Sequence, residues 1–85
     1  MKSLDITTLK DIKKRAYELI DEVNSMMNNL EDIASEQQQH IEEDNLHDNE
    51  EETDKLDSLE RAIDSTNEIT SYLVDLTTYI EELID

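Results

Sequence analysis

Residues 9–33 read LKDIKKRAYELIDEVNSMMNNLEDI. The apolar positions fall at Leu9, Ile12, Ala16, Leu19, Val23, Met26, Leu30 and Ile33, an unbroken alternation of steps of three and four. That spacing is a heptad repeat, with Leu9, Ala16, Val23 and Leu30 at a, and Ile12, Leu19, Met26 and Ile33 at d. A further apolar row, Ile20, Met27, Ala34 and Ile41, falls at e. A stripe three positions wide is too broad for a two-stranded seam and suits a helix packed against two neighbours.

The second half repeats the arrangement. Leu59, Thr66, Leu73 and Ile80 occupy a, Ala62, Ile69, Leu76 and Leu83 occupy d, and Leu56, Ile63, Thr70, Thr77 and Ile84 occupy e. Tyr72 and Tyr79, one heptad apart at g, are expected along the edge of the core with their hydroxyls in water. Between the two repeats, at residues 44–49, the apolar rhythm lapses and poor helix formers cluster. Asn49 followed three residues later by Glu52 resembles a capping box, with Thr53 a second candidate for the cap. The pattern predicts helices over about residues 6–43 and 50–84, each roughly 50 Å long at 1.5 Å per residue. The chain contains neither Gly nor Pro, so one continuous helix of about 80 residues competes with a hairpin. The hairpin is preferred because the connection falls where two helices of similar length can fold back. The expected fold is therefore all-α, an antiparallel two-helix hairpin in a single domain spanning residues 1–85.

A lone hairpin leaves part of each wide stripe uncovered, and self-association is the simplest remedy. A homodimer would form a four-helix bundle. Its expected core is Leu19, Val23, Met26, Met27, Leu30, Ile33, Leu59, Ile63, Ile69, Leu73, Leu76 and Ile80. Each such side chain contributes roughly 1.5 to 3 kcal/mol before entropy is counted. The alternative occupant is a helix of another protein, in which case the chain is a structural or adaptor coiled coil or a small chaperone.

Charge is the second strong signal. The chain has 24 Asp and Glu against 7 Lys and Arg, a net charge of -17 on 85 residues. Lys2, Lys10, Lys13, Lys14 and Arg15 against Asp5 and Asp11 leave residues 1–15 at +3, so the rest carries -20. Acids occupy the polar rows of both helices: Glu18, Asp21, Glu22, Glu31, Asp32, Glu36, Glu42 and Glu43 on the first, and Asp54, Asp57, Glu60, Asp64, Glu68, Asp75, Glu81, Glu82 and Asp85 on the second. Eight acids from Glu42 to Asp54, with no Lys or Arg among them, make the connection the densest spot. An ordinary exposed helix intersperses cations to make i,i+4 pairs. This one accepts repulsion along its length, which points to a basic partner. Glu50, Glu51, Glu52, Asp54, Asp57, Glu60, Asp64, Glu68 and Asp75 are the expected contacts. In an antiparallel hairpin Lys10, Lys13 and Lys14 are expected to pair with Glu81, Glu82 and Asp85.

Several chemistries find no residues to carry them. No cysteine is present for a thiolate site or a disulfide, and no glycine for a phosphate loop or a calcium-binding turn. Glu18 and Asp21 have a metal-ligand spacing but sit at c and f, away from the core. His40, at d beside Gln37 at a, reads as a polar end to the core, and His47 lies in the connection. Catalysis, cofactors and a specific metal are not expected. Direct nucleic-acid binding is disfavoured because the field repels phosphate. No apolar run reaches membrane-spanning or signal-peptide length, so a cytoplasmic protein is the expectation, in the host cytoplasm if viral.

In composition and architecture the chain resembles the small acidic helical proteins, often viral or carried by mobile elements, that imitate DNA to block restriction, CRISPR or transcription machinery. The resemblance covers the whole chain and rests on no signature motif. It implies a non-enzymatic inhibitor or regulator of a nucleic-acid-binding protein.

Overall fold

A computed structural model describes residues 3–84. They form two helices, α1 (Ile6–Glu43) and α2 (Glu50–Ile84), folded back antiparallel as a rod with Cα extents of 66 × 18 × 15 Å. The helix limits agree with the heptad reading and the single continuous helix is excluded. Lys2 and Asp85, which enter the charge pattern, lie outside the described residues.

Each helix end is fixed by a specific backbone device. Asp5 caps α1, accepting the Thr8 amide at 3.0 Å and the Thr8 hydroxyl at 2.8 Å. At the other end the chain turns at Asn45 with φ 54°, the left-handed conformation usually supplied by glycine and tolerated by asparagine. The Leu46 amide then reaches back to the Ile41 carbonyl at 2.9 Å, closing the helix as a Schellman-type cap. A turn bond from the Asn49 amide to the Leu46 carbonyl leads into α2, whose first free amides are met by Asn49. The Glu52 amide donates to Asn49 Oδ1 at 3.2 Å, which is one half of the expected capping box. The Glu52 carboxylate does not return to Asn49, and Thr53 is a residue of α2, its hydroxyl donating to the Asn49 and Glu50 carbonyls.

The helices meet through the a and e rows. Ala16, Val23 and Ile41 of α1 and Thr66, Thr77 and Ile80 of α2 are buried between them. The two threonines are accommodated because each hydroxyl donates within its own helix, Thr66 to the Ile63 carbonyl at 2.6 Å and Thr77 to the Val74 carbonyl at 2.7 Å. Their methyl groups are thereby free to face the core without an unsatisfied polar atom. Tyr72 and Tyr79 are largely in solvent, 71% and 63% exposed, and do not line the edge of this core. At g they stand too far around α2 to reach α1.

Candidate partner-binding faces

At 100° per residue the heptad positions follow one another around a helix as a, e, b, f, c, g and d. With a and e inward, b stands on one flank and d on the other. Because the helices run antiparallel, both b rows come to one side of the hairpin and both d rows to the other. Tyr17 and Glu81, both at b, share a hydrogen bond of 2.8 Å on the first side. Leu19 and Leu76, both at d, line one groove on the second.

The d side is an apolar ribbon. Of the twelve residues expected in the bundle core, Val23 and Ile80 are buried and Met27, Leu30, Leu59, Ile63 and Leu73 are half-buried within the hairpin. Leu19, Met26, Ile33, Ile69 and Leu76 are exposed by 40 to 51%. One hairpin thus uses two of its three apolar rows and leaves the third facing outward along most of its length.

The acidic residues occupy the back of each helix. Glu50, Glu51, Asp54, Asp57, Glu60, Asp64, Glu68 and Asp75 are all exposed. The ion pairs among them are sparse and exposed, such as Arg61 with Asp57 at 3.0 Å, so the acidic field is barely neutralised locally. Glu52 differs from its neighbours. It is half-buried at an a position and holds the tip together: its carboxylate accepts from Gln37 Nε2 at 2.8 Å and Lys55 Nζ at 2.9 Å, and lies 3.7 Å from His40 Nε2. Gln37 Nε2 also donates to the Glu52 carbonyl at 3.0 Å. Bonding from Gln37 and then Lys55 holds the Glu52 carboxyl below its ordinary range, and the same contact raises Lys55. The polar end of the core predicted at Gln37 is this cluster, in which Gln37 and Glu52, both at a, bond across the two helices.

At the opposite end the cationic cluster meets α2 through one member. Lys13 lies 3.5 Å from Glu81, while no ion pair links Lys10 or Lys14 to α2 among the described residues. Tyr17 supplies the stronger contact to Glu81, and its hydrogen bond, followed by the charge of Lys13, holds that carboxyl below its ordinary range. Sequence reasoning missed Tyr17; its b position opposite Glu81 at b was the available signal.

Among the described residues no group of three or more His, Asp or Glu side chains is arranged to hold a metal ion. Neither helix is long and apolar enough to cross a membrane. Comparison with known protein families, curated proteins and solved structures finds no match to this chain.

Proposed function

We propose that this protein is a non-enzymatic, cytoplasmic interaction protein that presents its acidic faces to a basic, nucleic-acid-binding partner and inhibits or regulates it by imitating a nucleic acid. The observation that carries this reading is the density of exposed, largely unpaired carboxylates on an elongated helical rod. Lys2 and Asp85 cancel, so the described residues also carry -17 over an extent of 66 Å. That is about one net charge per 4 Å, close to the roughly 3.4 Å spacing along one strand of DNA. The helical scaffold holds the charges in place, so a basic groove meets them already ordered.

The test is capture of proteins from nuclease-treated lysate, followed by elution with competing DNA. Displacement of a nucleic-acid-binding protein by DNA is expected. Reversing Asp57, Asp64 and Asp75 to Lys should abolish that capture while circular dichroism shows helicity retained. Unchanged capture by the triple variant would refute the reading.

A second reading is favoured by one observation, the outward-facing d rows. In it the chain is an adaptor whose apolar ribbon takes a helix of another protein. Leu76→Asp would then remove partner binding, and the acidic-face variant would not.

A further inference from the structure

We infer that the apolar ribbon is closed by a second copy of this chain, packed face to face and antiparallel, on a two-fold axis that passes near the level of Met26 and Ile69. The inference stands on the ribbon and its rim and does not depend on the acidic-face reading.

The levels of the two helices come first. The contacts of Lys13 and Tyr17 with Glu81, and of Gln37 and His40 with Glu52, place residues of α1 and α2 level when their numbers sum to about 93. Met26 then lies within about two residues of the level of Ile69. Met26 is also the midpoint of the α1 d row from Ile12 to His40, and Ile69 the midpoint of the α2 d row from Lys55 to Leu83. A two-fold axis across the ribbon near this level therefore superposes both d rows on themselves to within about 3 Å, two residues of helix rise. Such self-complementarity about one axis is what an isologous interface requires.

The rim agrees with the same axis. Beyond Glu51 at the tip, the g row beside the ribbon on α2 reads Ser58, Ser65, Tyr72 and Tyr79, four successive positions without charge on a chain that is otherwise densely acidic. Under the two-fold these four positions meet their own copy, Ser65 opposite Tyr72, so along this edge the two negative molecules approach without opposing acids. On α1 the g row reads Thr8, Arg15, Glu22, Asn29, Glu36 and Glu43. The same operation sets Arg15 opposite Glu36 of the second copy and Glu22 opposite Asn29, an attractive pairing in register with the apolar rows.

The ends of the rod select this orientation over its rival. The tip holds eight acids between Glu42 and Asp54 against the single cation Lys55, whereas the terminal end sets Lys10, Lys13, Lys14 and Arg15 against Asp5, Asp11, Glu81 and Glu82. A dimer with both tips at one end would stack the two most acidic segments. The antiparallel dimer separates them by nearly the 66 Å rod and places each beside the more basic end of the other copy. The ribbon spans about 22 residues of helix across two helix widths, on the order of 600 Å² per copy, near the roughly 800 Å² of a standard interface. Closure also brings the net charge over the rod to about one per 2 Å, against roughly one per 1.7 Å for duplex DNA.

Sedimentation equilibrium at tens of micromolar is expected to give twice the 9.9 kDa chain mass for the native chain. Met26→Glu sets two carboxylates against each other on the axis and should return the chain to monomer. Met26 is half exposed in the single hairpin, so helicity should survive. Arg15→Glu should weaken dimerisation several-fold, and adding Glu36→Arg should restore it. The chain has no cysteine, so His47→Cys gives one spin label per copy at the tip. Label separations near the 66 Å rod length are expected. A native chain that stays monomeric overturns the inference, as do tips within about 30 Å, the span of two or three helix diameters. A dimer indifferent to Met26→Glu, or no rescue in the Arg15→Glu, Glu36→Arg double variant, overturns it equally.

Discussion

At the residue scale the informative contacts are made by side chains that also obey the heptad. Glu81 is a half-buried acid in a strongly negative chain, yet Tyr17 and Lys13 give it an attractive setting. Its folded-state pKa is lowered, chiefly by the tyrosine hydroxyl. A carboxyl with a depressed folded pKa contributes stability that is present above its unfolded value, near 4.5, and is lost as pH falls through the lower folded value. Tyr17→Phe should therefore move the Glu81 pKa upward toward 4.5, read by NMR titration of the side-chain carbonyl, and remove that acid-side loss. An unmoved titration would mean that Lys13 alone sets the shift. Glu52 obeys the same sign rule at the tip, where Gln37 and Lys55 replace the tyrosine.

At the element scale the connection does the work that glycine does elsewhere. Asn45 accepts the left-handed turn, and Asn49 caps α2 through the Glu52 amide. Asn49→Ala leaves that amide without its acceptor and should lower stability by about 1 kcal/mol, read as a lower midpoint in urea with an unchanged slope. Asn45→Gly should be neutral to mildly stabilising, because the backbone angle that strains other residues costs glycine nothing. The helix limits were legible because a sustained 3-4 alternation stops where capping residues begin. The Schellman closure by Leu46 was not, since its signal is a single apolar residue whose meaning depends on the turn before it.

At the scale of the whole molecule, seventeen uncompensated negative charges oppose compaction. Repulsion between exposed charges is screened over a Debye length of about 10 Å at 0.1 M salt, while the a and e packing is indifferent to salt of this kind. Thermal melting should accordingly shift upward as sodium chloride rises from low to moderate concentration. A downward shift would show that the few attractive pairs, such as Lys13 with Glu81, outweigh the repulsion. The acids proposed to meet a partner were legible one by one, because polar heptad positions on long helices are outward by geometry. Glu52 was the exception: it lies at a, and its part at the tip depends on Gln37 from the other helix.

The amino-acid sequence by itself determined two helices, their limits and the presence of three apolar rows on each. These follow from periodicity and capping, which act within a few residues along the chain. Only the tertiary structure decided how the three rows are shared. Two helices can close about two rows against each other, and the antiparallel return selected a and e for that purpose. The same return put both d rows on one side, turning a surplus of apolar residues into a single continuous surface. Which rows meet is set by the rotation of one helix against the other. That rotation is fixed by contacts between residues far apart in sequence, with Ala16 and Val23 of α1 and Thr66, Thr77 and Ile80 of α2 buried where the two helices meet.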